Sequence, residues 1–239
     1  ARIIREAFHI ANTGRKGPVL IDIPKDVSAA KTEFRYPEKV SIRGYNPTVM
    51  PNKLQVNKLL AAIEEAERPV ILAGGGVVYS GAQEELLKFA EKTRIPVTTT
   101  LLGLGGFPSA HELWMGMPGM HGTWTANTAL QNCDLLIGIG ARFDDRVTMK
   151  VSAFAPKAKI AHIDIDPAEI GKNVPTAIPC VGDVKMVLEL ANKKARPAKS
   201  EAWIKQIQEW KKQRPLTYVD SDTELKPQWV IQMIHRLTK

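Results

Sequence analysis

Two short, mostly apolar runs, Leu135 to Ile139 and Ile160 to Ile165, constrain this chain more than any other feature. Neither shows the alternation of a half-exposed strand, so each reads as a strand covered on both faces in a parallel sheet. Each also ends in small or charged residues: Gly140, Ala141, Arg142, Asp144 and Arg146 follow the first, and Asp164 and Asp166 close the second. Ligands of open α/β sheets sit outside the carboxyl ends of the strands, which places these residues at one rim. Two guanidiniums there suit bidentate contact with diphosphate or carboxylate, and an acid ending the next strand suits a ribose hydroxyl. Together they point to a nucleotide cofactor.

The remaining pattern supplies the rest of such a sheet. Strands are expected at Pro69 to Ala73, Pro96 to Thr100 and Ala177 to Val181. Helices are expected at 53 to 67, 82 to 93, 123 to 132, from Asp183 onward and at 200 to 213. Alternation of this kind sets up a parallel sheet with crossover helices. Ahead of it lie a helix at 2 to 12, uncapped and with Ile3, Ile4, Ala7, Phe8 and Ala11 on one face, and a buried strand at 18 to 24. A lone helix and strand cannot make a sheet, so residues 1 to 27 are expected to be the tail of a preceding domain. Residues 28 to 51 read as a linker with Pro37, Pro47 and Pro51, and 214 to 226 as a second one. A last amphipathic helix starts at Pro227.

Composition narrows the class. A chain of 239 residues with 44% hydrophobic and 24% charged residues is ordinarily globular. No apolar run approaches the ~18 residues of a membrane span, and no signal-peptide pattern is present. The net charge of +8 is spread along the chain and reads as a solvated surface without a nucleic-acid module. Cys133 and Cys180 lack CxxC spacing and read as structural thiols in a reducing, cytoplasmic setting, with no metal site.

Several candidates leave two readings open. Gly74-Gly75-Gly76 follows a strand and precedes a helix, but Tyr79 stands where a GxGxxG loop has its third glycine, so the nicotinamide fingerprint fails. Close approach of a ligand is favoured there over a mere tight turn. Residues 101 to 122 form a long Gly-, Pro- and Met-rich loop of the kind that is often functional. Its Met120-His121-Gly122 could set a ring against a flat cofactor, although His121 alone reads as a structural histidine. Arg142, Asp144 and Arg146 could equally be a surface ion-pair cluster of little energetic weight; their place at a strand end favours function. No P-loop, HExxH, GxSxG or zinc-type cysteine set occurs.

The segments Gly140 to Thr148, Ala155 to Ile160, His162 to Gly171, Thr99 to Gly106 and Gly119 to Gly122 closely resemble the large, catalytic subunit of acetohydroxyacid (acetolactate) synthases, over essentially the whole chain. That family is thiamine-diphosphate dependent and carries FAD. The resemblance implies an α/β fold, a Rossmann-like, doubly wound, six-stranded parallel sheet. It divides the chain into the tail of a pyrimidine-binding domain (1–27), a linker (28–51), a central FAD-binding domain (52–195), a helix and linker (196–225) and the start of a diphosphate-binding domain (226–239).

It also implies a flavin site. FAD would be held by Arg15, by Gly74, Gly75, Gly76, Thr100 and Leu101, and by Met120, His121 and Gly122. Gly140, Arg142, Asp144 and Arg146 would add the next strand end, and Asp164, Ile165, Gly182 and Asp183 the last two. Lys25, Met120, Asp145 and Arg146 would line the substrate channel, with Arg146 orienting a 2-ketoacid carboxylate. Met149 departs from the family, which usually has Gly there, and a side chain at this place is expected to crowd the loop after Arg146.

By the same resemblance, pyruvate condenses with a second 2-ketoacid, pyruvate or 2-ketobutyrate, with loss of carbon dioxide, on the way to valine, leucine and isoleucine. The full enzyme would be a homo-oligomer with a regulatory small subunit. Its thiamine-activating glutamate and magnesium site would lie in flanking domains, so no catalytic residue and no metal ligand is expected in residues 1 to 239, and the piece alone should be inert. Neither a membrane nor a nucleic acid is expected as partner. The alternatives are another FAD-containing carboligase and a stand-alone flavin- or nucleotide-binding module.

Overall fold

The computed structural model describes residues 1–238. In chain order it contains α1 (Arg2–Asn12), α2 (Lys25–Ala29), α3 (Lys53–Glu65), β1 (Pro69–Ala73), α4 (Gly75–Tyr79), α5 (Gln83–Thr93) and β2 (Val97–Thr99). A 3-10 turn at Leu101–Gly103 precedes α6 (Trp124–Asn132), β3 (Leu135–Ile139) and α7 (Asp145–Thr148). The chain continues through β4 (Lys159–Asp164), β5 (Ile178–Val181), α8 (Val184–Asn192), α9 (Glu201–Gln213) and α10 (Pro227–Leu237).

The strands form one parallel sheet in the order β2-β1-β3-β4-β5. It has five strands, where the family resemblance implied six. Five of the six apolar runs read from the sequence supply them, and along the free edge of β2 residues 113 to 116 add only an isolated parallel bridge, with Val97 N–H donating to Leu113 O at 2.9 Å and Met115 N–H to Val97 O at 2.8 Å. The strand order reverses between β1 and β3, where a doubly wound sheet opens its ligand crevice.

Period-2 alternation distributes the side chains of β1 and β3 between two cores. Ile71, Ile137 and Ile163 face α3, α5 and α8 through Leu59, Ile63, Leu86, Phe89, Val187 and Leu188. Val70, Leu72, Leu136 and Ile160 face α6 and α9 through Ala126, Leu130, Trp203 and Ile207. Helix α9 is fastened under the sheet: Trp203 Nε1 donates to Pro69 O at 3.2 Å, and Trp203, Trp210 and Trp124 meet edge to face. Caps fix the helix starts: Asn52 accepts from Leu54 N–H, Thr123 from Ala126 N–H and Asp183 from Met186 N–H. Cys133 and Cys180 are buried and unpaired, and burial pushes both thiols up to about 12.

The segment 18 to 24, expected as a buried strand, is not one. It pairs with no strand, and Leu20 is 90% exposed. An apolar run becomes a strand only where a neighbour supplies the ladder and a face to cover it, and among the described residues nothing does so here. Helices α1 and α10 form as read but expose their apolar faces, with Ile3, Phe8, Ile231 and Ile234 each more than half exposed.

Candidate cofactor rim

The floor of the crevice between β1 and β3 is bare backbone. Gly74 N–H donates to Ile139 O at 2.8 Å, and Gly76 N–H to Gly140 O at 3.0 Å. A Cβ on Gly74 would lie 2.1 Å from Gly140 O, and one on Gly76 would lie 2.6 Å from Gly140 Cα. These glycines therefore first serve the contact between the two strand ends. Gly140 itself has φ +57 and leaves no room for a side chain. Gly75 faces Leu102 and Tyr79. Thr100 accepts from Gly103 N–H at 3.2 Å and turns the chain after β2, leaving Leu101 69% exposed above the rim.

The loop after β3 carries the charges and also strain. Phe143 and Met149, both non-glycine, have φ +52, a region that costs of order 1 kcal/mol or more for such side chains. For Phe143 the reason is visible: its ring is buried against His162 and Phe154 and fills the space over Gly138, where a Cβ would strike it at 2.4 Å. Nothing comparable holds Met149, which is exposed. Arg142 Nη2 donates to Asp144 Oδ2 at 3.0 Å, while Asp144 Oδ1 is buried without any partner. Arg146 and Asp145 are 4.0 Å apart, exposed and weakly paired. The loop of residues 116 to 122 seats on this one: Met120 N–H approaches Arg146 O at 3.4 Å, and a Cβ on Gly119 would clash with the same carbonyl. Met120 and His121 are exposed beside it, and Gly122 has no space for a side chain against Met117 O.

The β4–β5 side is closed by residues from the amino-terminal stretch. Asp183 N–H donates to Val49 O at 2.8 Å, and Gly182 packs against Pro51. Arg15 reaches across to the turn after β4, where its Nη1 donates to Asp166 Oδ2 at 3.2 Å and to Glu169 Oε1 at 2.7 Å. Asp164 ends β4 with Oδ1 accepting from Asp166 N–H at 2.9 Å. Its burial raises the Asp164 carboxyl above the usual range, an effect the Asp166 N–H partly offsets. Behind it His162 is fully buried, both ring nitrogens lack partners, and burial lowers it to about 4.

Most expected site residues therefore come together around one rim, by backbone contact at Gly74, Gly76, Thr100, Gly122, Gly140 and Gly182 and by side chain at Arg142, Asp144 and Arg146. Ile165 is half-buried just past the end of β4. Asp183 uses its carboxylate as the α8 cap. Lys25 starts α2, exposed, and makes no side-chain bond to the rim among the described residues. Sequence reasoning missed Glu169, Asn173, whose Nδ2 holds Arg142 O at 3.0 Å, and Val49. Glu169 lies within the segment His162 to Gly171 that carries the family resemblance but was given no role there, and Asn173 and Val49 lie outside the resembling segments. Two concavities lying away from the rim, about 530 Å³ beside Lys193 and Arg196 and about 400 Å³ beside Phe107 and Trp114, include none of its arginines. The rim is an open shelf.

Residues 56–190, more than half of the chain, match the family model described as "Thiamine pyrophosphate enzyme, central domain". The chain belongs to this family. The matched span runs from α3 to α8 and includes all five strands of the sheet and most of the rim. Beyond the family's central domain, similarity continues over nearly the whole chain. The chain is 45% identical to the acetolactate synthase large subunit of Haemophilus influenzae, over 99% of its length. It is 50% identical to that of Corynebacterium glutamicum over 98%, and 54% identical to a probable acetolactate synthase large subunit of Methanocaldococcus jannaschii over 94%. It spans 43%, 38% and 39% of those relatives, respectively.

Proposed function

We propose that this chain is the central, FAD-binding portion of an acetolactate synthase large subunit. The full protein would condense pyruvate with a second 2-ketoacid, with loss of carbon dioxide, in branched-chain amino acid biosynthesis. What carries the reading is similarity to acetolactate synthase large subunits that spans 94–99% of the chain and so takes in the whole rim.

The residues present fit a flavin nucleotide. The dinucleotide is a long dianion with a ribose on the adenine side of its diphosphate and a ribityl chain on the flavin side, and the shelf offers guanidiniums from Arg142 and Arg146 after β3 and from Arg15 at the turn after β4. Asp144 Oδ1, buried and unpartnered, is an acceptor in want of a donor such as a hydroxyl. Arg142 would meet phosphate through the N–H groups that Asp144 leaves over, and Asp164 would accept from a ribose hydroxyl. Gly74, Gly75, Gly76, Thr100, Leu101, Met120, His121, Gly122 and Gly140 would set the backbone walls, with Ile165, Gly182 and Asp183 beyond β4. Arg146, exposed next to Asp145 and Met120, would be available to a 2-ketoacid carboxylate, with Lys25 brought in from the amino-terminal stretch.

Thiamine diphosphate and magnesium would be bound by parts of the full enzyme outside residues 1 to 239, in a homo-oligomer that pairs with a regulatory small subunit. When bound, thiamine diphosphate would supply the carbanion chemistry; the chain described here would orient substrate and flavin. Cytoplasmic placement goes with that role, and no helix of the described residues is long and apolar enough to cross a membrane.

The test is a titration of the full-length protein with FAD, read by flavin fluorescence, together with acetolactate formation from pyruvate, thiamine diphosphate and magnesium. Saturable FAD binding weakened about tenfold or more by Arg142→Ala is expected, with turnover in the full protein and none from residues 1 to 239 alone. Absence of both flavin binding and acetolactate formation in the full protein would refute the reading.

A further inference from the structure

Arg15 raises a question of direction. It lies in the stretch after α1, 151 and 154 residues away in sequence from the two carboxylates it meets, and its side chain is 44% exposed. A long exposed side chain of that kind ordinarily samples many rotamers, and ordering it costs up to about 2 kcal/mol. Here both bonds use one nitrogen, Nη1. No hydrogen bond among the described residues uses Nε or Nη2. The guanidinium is thus held by one corner, and its opposite edge, two parallel N–H groups matched to two phosphate oxygens, is left for a ligand.

The two carboxylates do not contribute equally. Asp166 is 3.2 Å away and 26% exposed, whereas Glu169 is 2.7 Å away and only 5% exposed. The shorter, drier bond fixes the direction. Glu169 is itself immobilised: its backbone N–H donates to Asp166 O at 3.1 Å, and Lys172 Nζ shares the same Oε1 at 3.0 Å. Burial alone would raise the Glu169 carboxyl, but the bonds from Lys172 and Arg15 outweigh it and hold the group below the usual range, so it stays an anion. Lys172 also balances the charge. Without it, Glu169 would oppose an incoming phosphate as much as it aligned the guanidinium.

We propose that Glu169 is a positioning residue for the anionic part of the flavin nucleotide: it anchors Arg15 by Nη1 and presents the Nε–Nη2 edge to a phosphate. Glu169 touches no ligand and acts only through Arg15. The inference rests on the flavin reading of the rim.

The experiment is a double-mutant cycle on the full-length protein, with FAD dissociation constants measured for wild type, Arg15→Ala, Glu169→Gln and the double variant. Thermal midpoints confirm that each is folded. Glu169→Gln keeps the shape and removes the charge; it should weaken FAD about fivefold to tenfold. In the Arg15→Ala background the same change should do nothing further, because its only route to the ligand is gone. Asp166→Asn should have the smaller effect of the two carboxylate changes. An equal loss in both backgrounds would mean that Glu169 merely shapes its turn, and would overturn the proposal. So would unchanged affinity in Glu169→Gln while Arg15→Ala weakens binding. Wild type that binds no FAD would instead remove the flavin reading, and this proposal with it. Should Glu169→Gln fail to fold, Glu169→Asp, which keeps the charge but withdraws it from Arg15 Nη1, reports on the same contact: it should weaken FAD with Arg15 present and change nothing in the Arg15→Ala background, and an equal loss in both would overturn the proposal.

Discussion

The central sheet and the segments flanking it carry the same kind of amphipathic sequence, yet they end in opposite states. Leu136, Ile137 and Val187 are fully buried, whereas Ile3, Phe8 and Leu20 before the sheet and Ile231 and Leu237 after it are exposed. Periodicity therefore specifies an element and a face, but not what covers the face. The sheet brings its own cover because α3, α5 and α8 pack on one of its faces and α6 and α9 on the other. The run at 18 to 24 has no such return.

The comparison can be broken most sharply at the point where β1 and β3 touch. Gly140→Ala places a methyl 2.5 Å from Gly76 Cα at φ +57, and should cost about 3 kcal/mol or more in a urea titration. Leu136→Ala, in the second core, should cost about 3 kcal/mol by the same measurement. Phe8→Ala, 67% exposed on α1, should change the midpoint by less than about 0.5 kcal/mol. If Phe8→Ala proved as costly as Leu136→Ala, the contrast between covered and uncovered faces would collapse.

Acid should act on the sheet through His162. His162 is lowered from 6.5 to about 4 by burial, so the unfolded chain binds its proton first. Stability is then full above pH 6.5 and falls as pH drops toward 4, by about 3 kcal/mol across the window. Equilibrium unfolding at several pH values should show this slope, and His162→Asn should flatten it. An unchanged slope in that variant would show that His162 is not the cause; Asp164 could not replace it, because a carboxyl raised by burial gives a slope of the opposite sign.

A smaller effect belongs to the loop between the two regimes. Met149 takes φ +52 without a packing reason, so Met149→Gly should raise stability by about 1 kcal/mol or less, read as a higher thermal midpoint. A lower midpoint would show that the exposed side chain has a partner. The thiols sharpen the contrast qualitatively. Cys133 and Cys180, raised to about 12 by burial, should resist alkylation at pH 8 until the sheet unfolds.

Much of this was legible in the chain because the signals are local. Five apolar runs gave five strands in place, and Asp183 marks a helix start that the structure caps by that side chain. The rim followed from strand ends, since a parallel sheet puts all carboxyl termini on one side. Three things were not local. The run at 18 to 24 looks like a strand until one asks for its neighbour. Gly138, unremarkable in the middle of β3, is the seat of a ring supplied by Phe143. Glu169 sits in an ordinary turn, and nothing near it in sequence announces an arginine 154 positions away.

That separation has a consequence for how the molecule assembles and comes apart. In an unfolded chain, joining residues 15 and 169 means closing a loop of some 150 residues for the sake of one ion pair, a poor exchange of entropy for contact. Once the sheet has formed, the open loop shrinks to the stretch between Arg15 and α3. The clasp should therefore be among the last contacts made and the first released, opening without disturbing either core. Native-state hydrogen exchange and limited proteolysis should find residues 28 to 47 yielding in a local event, well below the free energy of global unfolding. The latch between Arg15 and Glu169 would then be a moving part on a body that stays still.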